Sequence, residues 1–436
     1  MADTIRLLHT TQRDFARQFA AIRERDATAS PQVEAQARRI VDAVKRRGDR
    51  ALIEFTRRFD GVQLTPARLR VSQAEIDAAL RALRPAALRA LRAAARRIEA
   101  FHRRQRQSSW SYRDAAGFTL GQRITPLRRV GLYVPGGHGS YPSSVLMNAI
   151  PARVAVVDEV IMVSPAGRDG YNPAVLAAAS IAGVHAVYRV GGAQAVAALA
   201  YGTRTVPKVD KIVGPGNAWV QAAKRQVYGI VDIDKIAGPS EVVVVADRSV
   251  PAAFAAADLL AQAEHGSGDE CAVLLTPSQR VAENVRAAID VQLPALPRRA
   301  AIARVLRRRG ALVVVRNLDE AIDLAEQIAP EHLELLIANA ARYVPRIRNA
   351  GAVFVGADAP APLGDYAAGP NHVLPTGGSA RFASPLGVYD FVKRTSVISA
   401  SRGALRTLAP AICTLAEMEG YQAHAAAVRV RLNGGR

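Results

Sequence analysis

VGLYVPGGHGSYPSSVLMNAIPARVAVVDEVIMV, residues 130–163, decides the fold class. Two β-branched runs, Val130–Val134 and Val160–Val163, flank a helical pattern. Further runs follow at Ala186–Val190, Lys211–Val213, Val242–Val245, Ala272–Leu275 and Leu312–Val315, mostly with Ala-rich helical segments between them. Short apolar runs that alternate with helices build βαβ units and largely parallel sheets. The reading is α/β: two Rossmann-like lobes with mostly parallel sheets, a helical N-terminal arm and a C-terminal helical extension.

Upstream, VEAQARRIVDAVKRRGDRALIEFTRRF spaces apolar residues three and four apart and stops at Asp60-Gly61, so residues from about 33 to 105 read as mostly helical. The chain carries 58 basic and 38 acidic side chains, a net charge of +20. The densest basic stretch, Arg81 to Arg113, repeats Leu88, Leu91, Ile98 and Phe101 at helical spacing with Arg89, Arg92, Arg96 and Arg103 between them. That pattern is an amphipathic helix with a solvated Arg face. No zinc-finger or RNP-type signature points to specific nucleic-acid binding. Two cysteines, Cys271 and Cys413, cannot make a disulfide scaffold or a four-thiolate zinc site. No charge-free run of about 18 apolar residues predicts a membrane span. No basic start followed by an apolar run marks a secretory signal, so a cytoplasmic setting is expected.

Glycine loops follow three of the runs: Pro135-Gly136-Gly137-His138-Gly139, Gly191-Gly192-Ala193-Gln194 and Gly214-Pro215-Gly216-Asn217. In open parallel sheets ligands sit beyond the carboxyl ends of strands, so these loops point to a cleft. None is the dinucleotide fingerprint: Gly214-x-Gly216 continues Asn217-Ala218-Trp219, without the third glycine. Backbone N–H groups at helix starts can still cradle phosphate, although glycine loops after strands are often plain turns.

Four settings could carry chemistry. Gln262 and His265 lie three apart at the end of the helical segment PAAFAAADLLAQAEHG, where free carbonyls favour a cation. They suit a metal, or His265 simply answers the helix dipole. Glu331-His332 follows a helix capped by Asn317-x-x-Glu320 and broken by Pro330, which aims a carboxylate and an imidazole together as proton acceptors or leaves them a surface pair. Asp365 and His372 sit in LGDYAAGPNHVLPTGG, a long loop of the kind that is often functional. Glu419 and His424 lie five apart near the C-terminus. Ser143-Ser144 lacks a nucleophile elbow and reads as a helix N-cap.

Together these segments resemble histidinol dehydrogenases. The likeness rests on RVGLYVPGGHGSYPSSVLMNAIPARVA, VGGAQAVAALAYGT, VDKIVGPGNAWVQAAKRQV, IAGPSEV, LLAQAEH, IAPEHLELL, LGDYAAGPNHVLPTGG and SPLGVYDFVKRTS, in order along nearly the whole chain. The resemblance implies oxidation of L-histidinol to L-histidine with two NAD⁺ through an enzyme-held aldehyde. It implies one Zn²⁺ per subunit on Gln262, His265, Asp365 and His424, with Glu331 and His332 as the catalytic pair. Ser240, His332, Asp365 and Glu419 match substrate contacts beside the zinc ligands, and Tyr133, Gln194 and Asn217 match NAD contacts. It also implies a homodimer in which Glu419 and His424 reach the neighbouring site. The organisation expected from it is an arm (1–28), a first lobe with the metal and catalytic residues (29–132 and 240–386), an NAD lobe (133–239) and a C-terminal extension (387–436). One departure is the Gly-Ser-Gly-Asp-Glu turn after His265, where many members have a shorter acidic or Pro-containing turn. Another is the Arg excess. A related zinc- and NAD-dependent dehydrogenase of another polar alcohol, such as a sulfonated diol, and a basic polyanion-binding protein are the alternative readings.

Overall fold

All seven apolar runs form strands. Every residue of Glu241–Ala246 and Cys271–Thr276 is buried, as strands covered on both faces must be. The computed structural model describes residues 4–24, 30–136, 139–167, 170–265 and 268–434. Among these the strands are β1 (Arg6–His9), β2 (Trp110–Arg113), β3 (Phe118–Pro126), β4 (Arg129–Tyr133), β5 (Glu159–Val163), β6 (Ala186–Tyr188), β7 (Lys211–Val213), β8 (Asp232–Ile233), β9 (Glu241–Ala246), β10 (Cys271–Thr276), β11 (Gly310–Val314), β12 (His332–Leu336), β13 (Ala352–Val355) and β14 (Val392–Ala400). A six-stranded sheet runs β1-β11-β10-β9-β12-β13 and a five-stranded sheet β6-β5-β4-β7-β8, all pairings parallel. The third sheet, β14-β3-β2, is antiparallel. The chain is a mixed α/β protein with mostly parallel sheets.

Strand alternation sorts the six-stranded sheet into two apolar layers. Val242, Val244, Leu274 and Leu336 face Ala255, Ala256, Leu259 and Ala263 of helix Ala252–Ala263. Val243, Val245, Val273, Leu333 and Leu335 face Ala321, Ile322 and Ala325 of helix Leu318–Ile328. Alanines let the helices approach closely, so these cores fill with few aromatic rings.

The helices between residues 31 and 103 pack largely on the five-stranded sheet. Helices Pro31–Arg47 and Asp49–Asp60 bury Ile40, Val44, Leu52 and Phe55 in one core with Ile161, Val196 and Ile212, against the five-stranded sheet. Helix Pro85–Arg103 buries Ile98 with Met147 and Ile150. The chain enters that sheet at β4 soon after these helices, and consecutive elements tend to pack as neighbours. Arg89, Arg92, Arg96 and Arg103 are exposed, as expected, but so is Phe101. The N-terminal arm is not wholly helical: Arg6–His9 pairs with β11 as an edge strand, and Phe15–Arg23 is the helix. Four residues are too few to show a period. The C-terminal extension likewise opens with nine residues of strand before helices Arg402–Met418 and Gln422–Leu432.

A buried ion pair fixes one glycine loop. Lys224 Nζ lies 2.5 Å from Asp234 and donates to the Gly214 carbonyl at 3.0 Å, while Asp234 accepts the Gly214 N–H at 2.8 Å. Lys224→Ala leaves Asp234 buried without that partner, at an expected cost of about 3–5 kcal/mol. Urea unfolding measures it; a loss below about 1 kcal/mol, the range of an exposed pair, would contradict the assignment.

Candidate active site

Helix Leu318–Ile328 begins at Asn317, whose Oδ1 accepts the Glu320 N–H at 2.9 Å. Glu320 does not close the expected box; its carboxylate takes the N–H of Arg316, one residue earlier. The helix ends at Ala329, left-handed with φ 50° and ψ 62°. After Pro330 the chain turns directly into β12, so Glu331 and His332 stand at the amino edge of the six-stranded sheet. Ser240 precedes β9 at the same edge, and its carbonyl accepts the N–H of Cys271, the first residue of β10. Helix Ala252–Ala263 carries Gln262 in its last turn and ends shortly before β10, with His265 just beyond. The residues expected to react thus gather at strand amino ends of the six-stranded sheet, while the glycine loops follow strands of the five-stranded sheet.

Backbone groups of Glu241 set the roles of the pair. Its N–H donates to Glu331 Oε2 at 2.9 Å, and its carbonyl lies 2.9 Å from His332 Nδ1. A carbonyl can only accept, so Nδ1 carries the hydrogen and Nε2 is the basic nitrogen. Nε2 has no hydrogen-bond partner and faces Asp365 Oδ1 at 3.5 Å. Burial pushes the Glu331 carboxyl up to about 7, against the opposing His332 charge. Burial alone would lower His332, but Glu331, then Asp365 and the Glu241 carbonyl, outweigh it and raise His332 to about 9. Asp365 is held below the usual carboxylate range, because His332, His372 and His265 together outweigh its burial.

Asp365 lies in the last turn of the short helix Ala361–Tyr366, and its carbonyl accepts from His372 Nδ1 at 2.8 Å. His372 Nε2 lies 3.3 Å from Ser144 Oγ, so the hydroxyl donates to it. Burial lowers the His372 pKa, which keeps the ring neutral in this relay. Ser144 is therefore not an N-cap. Pro142 opens the helix Pro142–Val154, as its fixed φ favours, and Ser144 lies within it.

Gln262 Nε2 is buried without a partner. His265 Nδ1 lies 3.1 Å from the Gln262 carbonyl, which ties up that nitrogen and leaves the Nε2 lone pair for a ligand. With the Asp365 carboxylate these make an oxygen and imidazole donor set able to hold a borderline cation. Within one chain the set of four is not assembled. His424 is exposed against the Tyr421 ring, 5.1 Å between centroids, and Glu419 is exposed at the end of the preceding helix. Among the described residues no three His, Cys, Asp or Glu side chains form a metal-sized cluster. The expected Gly266-Ser267 turn lies outside the described residues, as do Gly137 and His138 of the first glycine loop.

Tyr133, Gln194 and Asn217 line one cleft of about 540 Å³ at the carboxyl ends of β4, β6 and β7. Tyr133 is buried and its phenolic oxygen accepts the Gly192 N–H at 3.0 Å. Both amide atoms of Gln194 are buried without a partner. Asn217 caps helix Ala218–Val227, its Oδ1 accepting from Val220 N–H at 3.1 Å. Gly214 packs against the Tyr133 backbone: its φ is +113°, and a Cβ there would lie 2.1 Å from the Tyr133 carbonyl oxygen.

The histidinol dehydrogenase family profile matches residues 23–432. The chain belongs to the histidinol dehydrogenase family. It is 53% identical over 421 residues to the histidinol dehydrogenase of Rhizobium meliloti (strain 1021), covering 97% of each. To that of Listeria monocytogenes serotype 4b (strain F2365) it is 50% identical over 408 residues, 94% of this chain and 95% of the relative. The crystal structure of histidinol dehydrogenase from Elizabethkingia anophelis superposes with a TM-score of 0.93 at 34% identity, covering 100% and 99% of the two chains. Membership makes the chain an oxidoreductase. Among the described residues no helix is long and apolar enough to cross a membrane.

Sequence reading of this histidinol dehydrogenase family member missed several contributors. The backbone of Glu241 left no sequence signal, because main-chain groups are common to all residues. Gln36, Arg39, Asp60 and Trp219 also line the cleft. The first three come from helices whose apolar stripes show burial but not what they border.

Proposed function

We propose that this chain performs the NAD-dependent four-electron oxidation of L-histidinol to L-histidine, the last step of histidine biosynthesis, through an aldehyde that stays in the site. The observation that carries this reading is His332 at one sheet edge, its basic Nε2 without a hydrogen bond and 3.5 Å from Asp365, its Nδ1 3.6 Å from Glu331. His332 Nε2 takes the alcohol proton. Glu331, ionised above about 7, takes a proton from water as it attacks the aldehyde. Holding the aldehyde prevents its loss between the two oxidations. Ser240 contacts the substrate, and Tyr133, Gln194 and Asn217 hold NAD⁺, which accepts hydride in each step. The partnerless Gln194 amide supports a ligand there.

Gln262, His265, Asp365 and His424 would hold one Zn²⁺, which supplies mainly a template for the substrate's imidazole and amino nitrogens. Asp365, kept ionised by its histidines, contributes the negative charge of that set. Because His424 and Glu419 stand away from the other residues in one chain, the reading is a homodimer with each completing its neighbour's site. Exposed Leu408, Leu415, Met418, Tyr421 and Val430 on the same C-terminal helices support a covered surface. The small substrate needs no nucleic acid or membrane, and a cytoplasmic enzyme fits the reading.

NADH released per L-histidinol tests the whole proposal. Two equivalents are expected, abolished by a chelator and restored by Zn²⁺. One equivalent, with aldehyde accumulating, would refute the four-electron reading; full turnover after verified metal removal would refute the role of zinc.

A further inference from the structure

Two carboxyl groups lie directly beneath the candidate site and take no part in the chemistry described. Asp258 is on helix Ala252–Ala263, one turn before Gln262 and so on the same face. Glu334 is on β12, two residues after His332 and on the same face. Both are buried, Glu334 completely. The two carboxyls interact with each other, and Glu334 Oε2 is buried with no N–H or O–H donor beside it. A carboxylate only accepts, so a hydrogen bond between them requires a proton on one of them. Two buried carboxylates in contact cannot both ionise, so that proton is retained. Burial and then Asp258 raise Glu334, against the more distant His332 charge; burial raises Asp258. The remaining contact leads to a third element. Glu334 Oε1 accepts the N–H of Ala361 at 2.8 Å, and Ala361 opens the helix whose last turn carries Asp365.

We propose that Asp258 and Glu334 are positioning residues whose hydrogen-bonded carboxyls brace together the helix bearing Gln262, the strand bearing His332 and the helix bearing Asp365. The inference rests on the reading of Gln262 and Asp365 as zinc ligands. Three separate elements need a tie to keep two ligands and a base in register. The pair provides one that adds no second negative charge under the cation.

Full-length Glu334→Gln and Glu334→Ala enzymes test it. The glutamine carbonyl can take the Ala361 N–H and its NH₂ can donate to Asp258, so Zn²⁺ affinity, measured by competition with a chromophoric chelator, stays within about twofold of wild type. Glu334→Ala severs both contacts and weakens Zn²⁺ by about 10–100-fold, as loss of outer supporting groups does. It also speeds amide hydrogen exchange in residues 361–366, which the glutamine variant does not. Glu334→Met, which fills the volume without hydrogen-bonding, gives the same comparison should the alanine variant not fold. Wild-type exchange and Zn²⁺ affinity in folded Glu334→Ala or Glu334→Met would overturn the brace, as would a glutamine variant as defective as these. Asp365→Ala separates the two ideas: unchanged Zn²⁺ binding there removes the ligand reading, and the exchange of 361–366 still decides the brace.

Discussion

Glu331→Gln slows aldehyde oxidation by about 10²–10⁴-fold, the range for loss of a general base, while the reverse reduction of aldehyde to alcohol falls far less. The amide can still accept the Glu241 N–H that Glu331 Oε2 now takes, so the local fold is kept. What it cannot do is receive a proton from water. NADH formation from the aldehyde, set against NADH consumption in the reverse direction, measures the split; equal losses would end the water-activating role. The pH profile carries a second signature. The working form of Glu331 is ionised, so the wild-type aldehyde step rises as pH passes about 7, and the variant lacks that limb. His332 works neutral, so the alcohol step gains as pH rises toward about 9. Burial pulls His332 down, and Glu331 is the largest influence holding it up; without that charge the His332 limb moves to lower pH.

His424→Asn is expected to lose Zn²⁺ and nearly all activity, a weakening of at least about 10–100-fold if a direct ligand matters no less than its supporting groups. Elemental analysis of the purified variant checks it; full occupancy with full turnover would strike His424 from the ligand set. The same variant tests sharing between subunits. Mixed with Glu331→Gln under conditions of subunit exchange, half the dimers become hybrids, each with one site free of both substitutions. About a quarter of wild-type activity then returns if reassortment is random. No recovery despite demonstrated exchange would place each complete site within one chain.

The strands legible in the sequence were those buried on both faces. Val242–Val245 and Ala272–Leu275 read as unbroken apolar runs because helices cover both sides of them. β12 was not legible, since His332 and Glu334 interrupt its apolar residues for reasons that belong to the site. β14 was hidden for another reason: eight of its nine residues are exposed, so no burial pattern marks it. Which sheet the helices of residues 31–103 cover was not legible, because an apolar stripe says that a helix is buried and not against which sheet. Gln262 with His265, and Glu331 with His332, were visible as neighbours in sequence. That Asp365 faces His332 was not, because 33 positions of strand and loop separate them, and only family resemblance named them together. Asp258 and Glu334 looked like ordinary charged residues in apolar segments.

Two tryptophans occur in the chain, and they occupy very different places. Trp219 borders the cleft and donates to Gln36 Oε1 at 3.0 Å. Trp110 stacks near Tyr112 on the three-stranded sheet. With Trp110 replaced by phenylalanine, all remaining indole fluorescence arises at the mouth of the cleft. The fold thus contains its own optical gauge of whether that cleft is filled, readable without a label and without turnover.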